Sequence, residues 1–293
     1  MYRSLQMNDL EWNMMLIPLK FTWQPTQDEL IYLKELVCLR MKQRELIPFK
    51  QQDYINPSMI IDGFLYHGDM KHAMNKILLE ELDIRRIINV CDCQLGQEIL
   101  DQLHVLWINL DDDTYTDIAQ YFEMTNEFLQ SCKAKGEKVL VHCQMGVSRS
   151  SSIVRAYLMK YNFSFSLEKS PLFSRFRYHH DSLDKAYDYL VEQRLCAEPN
   201  LGFLLQLIRY EKQLRKTNET KNSVALISPM DELTKTKNAQ SNIKRENIVF
   251  RRRSNSSSCF RDSWSLCVKL CCWPFRNTRS QQSRVRTSYN NVG

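Results

Sequence analysis

The stretch Lys138 to Ser150, KVLVHCQMGVSRS, holds a cysteine, a glycine, an arginine and a serine at a spacing that chemistry can use. Val139-Leu140-Val141 predicts a short buried strand, and Ile153, Ala156, Tyr157 and Lys160 begin a helix, so His142 to Ser150 is delivered from a strand end to a helix start. The five residues between Cys143 and Arg149 let the backbone curl into a half ring with its N–H groups inward. The helix behind it adds the positive end of its dipole. That ring is an anion cradle of phosphate size. Its field favours thiolate over thiol, which makes Cys143 a nucleophile. Arg149 offers a planar fork for two oxygens of the anion, which lysine cannot reproduce. Gly146 lets the main chain approach closely, Ser150 is placed to hydrogen-bond the sulfur and ease its departure, and His142 is placed to brace the loop. Gln144, Met145, Val147 and Ser148 complete the phosphate-binding loop without added charge, so a single phosphate is read.

Displacement at phosphorus also needs a proton for the departing oxygen, and a carboxyl group on a neighbouring loop is the usual donor. Asp111-Asp112-Asp113, at the end of the predicted strand Val105 to Leu110, is the candidate source. Composition does not separate the three.

Other segments must position these groups. Asp28 to Lys42 has apolar residues at helical spacing, and it is the one helix expected in an N-terminal extension, residues 1–55. Met59 to His67 reads as two extended runs about the turn dipeptide Asp62-Gly63. A helix over Ala73 to Leu82 precedes a strand over Arg86 to Val90, which ends at Cys91 and Cys93. Asp117 suits the N-cap of a helix running to a stop at Gly136, and further helices are expected over Ser182 to Arg194 and Leu201 to Lys212. This alternation predicts an α/β fold, a central mostly parallel sheet with helices on both faces, over residues 56–215. Residues 216–293 read as a disordered basic tail containing cysteines.

With 293 residues, 43% of them hydrophobic, the chain has ample core material, and no apolar run approaches the roughly 18 residues that span a bilayer. Acidic Asp9 and Glu11 precede the first short apolar patch, the wrong order for a signal peptide, so a cytoplasmic location is expected. The ten cysteines are scattered and form no paired C-x-x-C knuckles, which predicts free thiols, no metal and no cofactor. Of the net charge of +6, the residues from Arg251 onward contribute nine basic groups against one acid, leaving −2 for the first 250 residues. A near-neutral body excludes nucleic acid as the expected partner. The tail's Cys267, Cys271 and Cys272, among apolar residues and arginines, are candidate lipidation sites for peripheral membrane contact.

From Pro57 to Leu214 the chain resembles the cysteine-dependent dual-specificity protein phosphatases. HCQMGVSRS is similar to their signature loop, and AEPNLGFLLQL (Ala197 to Leu207) is similar to their closing segment. The resemblance implies a protein tyrosine phosphatase-like fold. It also implies hydrolysis of phosphotyrosine and phosphoserine or phosphothreonine on proteins through a phosphocysteine at Cys143. By distance from Asp117-Ile118 it selects Asp112 as the acid, and it marks Cys91 as a candidate redox partner of the nucleophile. Wording around the loop is similar to the slingshot group, which acts on actin-depolymerising factors, and to the MAP kinase phosphatases. The short N-terminal extension fits an atypical single-domain member. Residues 166–181 depart from the family pattern as an insertion. Two other readings stay open: a pseudophosphatase that binds phosphoproteins without hydrolysing them, and an RNA or phosphoinositide phosphatase.

Overall fold

The computed structural model describes residues 9–46, 55–161 and 183–225, all within a unit spanning Met1–Arg251. The insertion at 166–181 and Cys267, Cys271 and Cys272 lie outside the described residues. The chain enters through two helices, α1 (Asp9–Trp23) and α2 (Gln27–Leu46), where sequence patterning predicts one. Pro18 in the interior of α1 removes a backbone donor, and apolar residues on more than one side blur its periodicity. Trp12, Leu16 and Leu19, four and three apart, are nonetheless buried.

Strands β1 (Ser58–Ile61) and β2 (Leu65–Gly68) form an antiparallel hairpin turned at Gly63, whose φ of +62° favours a residue without a side chain. The single helix expected over Ala73 to Leu82 is two, α3 (Met70–Met74) and α4 (Lys76–Glu81). Asn75 separates them: its extended backbone ends the first, and its side chain caps the second by accepting from the Leu78 amide at 3.2 Å. Then follow β3 (Ile84–Asn89), α5 (Gln97–Leu100) and β4 (His104–Trp107), the last shorter than the Val105 to Leu110 expected. A 3₁₀ turn at Ala119–Tyr121 leads into α6 (Phe122–Ala134), with the Asp117 carboxylate accepting from the Gln120 amide at 3.3 Å. The remaining elements are β5 (Lys138–His142), α7 (Arg149–Lys160), α8 (Leu183–Gln193) and α9 (Leu201–Ala225). Helix α9 runs unbroken past residue 215 to Ala225.

The five strands lie in the order β1-β2-β5-β3-β4, and only β1 with β2 is antiparallel. The expected mostly parallel sheet is therefore observed. In β5, Val139 and Val141 face one core and Leu140 faces the other, the two-residue period of a strand covered on both sides. The larger core takes residues from α1, α2 and α6 to α9, and the smaller takes Ala73, Leu79 and Ile99 from α3, α4 and α5. Because β5 is central, its C-terminal end opens where ligands bind in parallel α/β sheets. The helix that follows it, α7, is buried from Arg149 to Met159.

Candidate active site

Between β5 and α7 the chain makes one tight loop, Cys143 to Ser148, and its carbonyls are tied to the surrounding scaffold. The Gln144 carbonyl accepts from the Met70 amide at 3.3 Å, Gly146 from the Arg194 Nε at 2.9 Å, and Val147 from the Glu198 amide at 2.8 Å. Ser148 accepts from the Ser152 amide at 3.1 Å as α7 begins. In a trans peptide the N–H points opposite to the C=O, so pinning these carbonyls outward turns the amides of Met145, Val147, Ser148 and Arg149 toward the centre. These carbonyls are held by contacts from other segments of the chain. Gly146 has φ +62°, and a Cβ there would lie 2.4 Å from the Gly68 oxygen and 2.5 Å from Arg194, so no other residue fits without moving backbone.

Cys143 lies at the floor, 1% exposed. Its sulfur accepts a hydrogen bond from the Ser150 hydroxyl at 3.1 Å, the contact expected of Ser150. The same hydroxyl lies 2.8 Å from the Nε2 of His67, a buried residue at the end of β2 that sequence reasoning missed. With its proton committed to sulfur, the hydroxyl accepts from His67, which puts a proton on Nε2. Burial, then the cations of Arg194 and Arg155, hold the His67 pKa well below its ordinary value, which favours the neutral ring. The Nδ1 of His142 lies 3.3 Å from the Cys143 carbonyl, and burial brings its pKa to about 4.

These two histidines make stability depend on pH with a definite sign. The unfolded chain takes up their protons near pH 6.5 and the folded chain resists until lower pH, so their contribution is complete above 6.5 and is lost as pH falls below it. For His142 the loss approaches about 3 kcal/mol at pH 4. Urea unfolding at pH 7.5, 6 and 5 should show stability falling by up to about 1.4 kcal/mol per pH unit for each histidine, and His67→Gln should reduce that slope. A flat profile over this window would contradict the buried neutral state.

Arg149 opens α7 with its guanidinium across the cradle. Nη1 donates to the Leu110 carbonyl at 2.9 Å and lies 3.5 Å from Asp92, while Nε lies 3.5 Å from an Asp112 oxygen. Burial works against its charge, but the Cys143 sulfur, Asp112, Cys91 and Asp92 outweigh it and raise its pKa. Of the three candidate acids, Asp112 alone is tied to the loop. One of its oxygens accepts from the Ser148 hydroxyl at 2.6 Å and from the Asn200 side chain at 2.9 Å. Asp113 is occupied in shaping its own turn, accepting from the Tyr115 and Thr116 amides at 2.8 and 2.7 Å.

Beside the loop, Cys91 is buried, and its thiol is hydrogen-bonded to Cys93. That bond, ahead of burial, raises the Cys91 pKa, and the same bond lowers Cys93 to about 7. Cys93 also lies 3.6 Å from the Gln144 side chain. Arg194, Asn200 and His67 carry no local motif because each acts from a distant segment, onto the Gly146 carbonyl, the Asp112 carboxylate and the Ser150 hydroxyl respectively. Only Asn200, inside the closing segment, carried a readable signal. Among the described residues no group of histidine, cysteine and acidic side chains is arranged to hold a metal ion, and no helix is long and apolar enough to cross a membrane.

A strand–loop–helix anion cradle with a cysteine at its floor and an arginine at its lip, on a central mostly parallel sheet, is the arrangement that attack of a thiol on a phosphate ester would need. Residues 65–173 match the family model described as "Dual specificity phosphatase, catalytic domain". Over these residues the chain is similar to the dual-specificity phosphatases. It is 35% identical over 151 residues to human dual specificity protein phosphatase 5, covering 52% of this chain and 35% of that protein. It is 32% identical over 152 residues to mouse dual specificity protein phosphatase 1, covering 52% of this chain and 36% of the other. The crystal structure of human DUSP28 superposes with a TM-score of 0.45 at 25% identity, over 54% of this chain and 95% of that one. The chain thus spans about a third of the length of these curated relatives.

Proposed function

We propose that this protein hydrolyses phosphate monoesters on proteins, at tyrosine and at serine or threonine, through a phosphocysteine. The observation that carries the reading is a buried cysteine sulfur, held by Ser150, in a loop whose Gln144, Gly146 and Val147 carbonyls are tied to the scaffold, with Arg149 and Asp112 paired beside that loop. The phosphate enters the ring of amides and takes the Arg149 fork. The Cys143 thiolate attacks phosphorus; the S–P bond forms as the P–O ester bond breaks, and Asp112 gives its proton to the departing oxygen. Water then attacks the phosphocysteine and loses a proton to the Asp112 carboxylate. The S–P bond breaks, inorganic phosphate leaves, and the Ser150 hydroxyl stabilises the returning thiolate.

Three features favour protein substrates. The side chains of Gln144, Met145, Val147 and Ser148 add no cation for a second phosphate, as a phosphoinositide or polyphosphate end would need. Met145 on the loop and Tyr115 beside the acid are exposed, 40% and 55%, offering apolar surface to a peptide. Intact Cys143, Arg149 and Asp112 speak against a binding-only pseudophosphatase. By family resemblance, MAP kinases and actin-depolymerising factors are the first substrates to try. Purified protein should release phosphate from phosphotyrosyl and phosphothreonyl peptides faster than from a phosphoinositide or a 5′-triphosphorylated RNA. The reverse ranking would replace this reading with one of the alternatives.

A further inference from the structure

The loop that carries Asp112 is clamped from two sides, and one jaw comes from the N-terminal extension. From the α9 side, the Asn200 side chain donates to Asp112 and also to the Asp113 carbonyl at 3.1 Å. Gly202 sits so close to Thr114 that a Cβ there would fall 2.3 Å from the Thr114 oxygen. From the other side, the indole N–H of Trp23, the last residue of α1, donates to that same Thr114 oxygen at 2.7 Å. Thr114 is two residues beyond Asp112, so its carbonyl is the point at which the acid-bearing loop is pressed between α9 and the end of α1.

Trp23 is itself held. Its carbonyl accepts from Arg209 of α9 at 2.8 Å, and the same guanidinium grips both oxygens of Glu29, at 3.2 and 3.1 Å. Glu29 is 5% exposed, and its carboxylate pKa is lowered: the Arg209 and Thr26 hydrogen bonds overcome the opposing effect of burial. The next residue, Gln24, has φ +44°, a strained value for a side-chain-bearing residue. A turn locked in this way between two helices aims one indole at one backbone oxygen.

We infer that Trp23 is a positioning residue for proton donation: it holds the Thr114 carbonyl so that Asp112 stays over the cradle, making the N-terminal helix pair part of the catalytic apparatus. This rests on Asp112 being the acid. A loop free to drift would leave the cradle, Cys143 and Arg149 in place and lose only the proton delivered to the leaving oxygen. The consequence is specific. Esters with poor leaving groups should suffer, and those with good ones should not.

The test uses the full-length protein, Trp23→Phe, and a series of aryl phosphates from phenyl to 4-nitrophenyl. Loss of this one part-buried hydrogen bond should lower kcat/KM for phenyl phosphate about ten-fold. The rate on 4-nitrophenyl phosphate should change by less than about two-fold, since its oxygen departs with little help. Asp112→Asn should show the same leaving-group dependence in larger measure, and adding Trp23→Phe to it should change nothing further. Equal loss on all substrates, or none on phenyl phosphate, would overturn the inference. If Trp23→Phe fails to fold by its thermal melt, Glu29→Gln, which loosens Arg209 and through it Trp23, must show the same selective loss. If Asp112→Asn shows no leaving-group dependence, the acid assignment fails instead, and the two failures are thereby distinguished.

Discussion

Replacing Cys143 with serine should abolish phosphate-ester hydrolysis, a fall of more than about 10⁴-fold, the scale on which removal of a nucleophile acts. The fold should survive. Serine is close in size, and the hydroxyl of Ser150 can bond its oxygen as it bonds the sulfur at 3.1 Å. The outward ties of Gln144, Gly146 and Val147 involve main chain and remain intact. What is lost is the nucleophile: a serine hydroxyl attacks phosphorus far less readily than a cysteine sulfur and leaves it less readily in the second step. Initial rates on an aryl phosphate, beside a thermal melt that confirms folding, check this directly. Arg149→Lys should fall by about 10² to 10³-fold in the same assay, because a point charge cannot both reach the Leu110 carbonyl and present a flat fork to two phosphate oxygens.

Asp112→Asn should lower the rate about 10² to 10⁴-fold, the usual contribution of a general acid. Asparagine keeps the shape and can still accept from Ser148 and Asn200, so phosphate binding should persist while turnover falls. The neighbours give the control. Asp111→Asn should be close to the unaltered protein, because among the three acids it is Asp112 that meets the loop and Asp113 that caps the turn at Tyr115 and Thr116. A severe loss from Asp111→Asn with a mild one from Asp112→Asn would move the proton donor to a different residue.

The cradle was legible because its parts are consecutive. Cys143, Gly146, Arg149 and Ser150 stand in one run between a β-branched strand and a helix, and local spacing dictates their meeting. The choice of Asp112 needed the family resemblance, since nothing in three adjacent aspartates distinguishes them. In the structure the distinction comes from Asn200 and Ser148, which lie 88 and 36 residues away. His67 was hidden for the same reason: its partner Ser150 is 83 residues distant, and a histidine ending a short strand has no motif. The sheet was readable from alternating apolar runs. The break at Asn75 and the extra helix α1 were not, because a capping asparagine and an internal Pro18 act against the periodicity that marks helices. The continuation of α9 to Ala225 was missed because its last turns are polar and resemble a linker in composition.

The central claim is that the Cys143 sulfur carries the phosphoryl group during turnover. It is tested most directly by mixing the protein with an isotopically labelled phosphopeptide, quenching within the first turnovers and mapping the label by mass spectrometry. The account predicts labelled phosphate on Cys143, accumulating further if Asp112→Asn slows the attack of water, and none in Cys143→Ser. Continued hydrolysis with the label never found on that sulfur would contradict it.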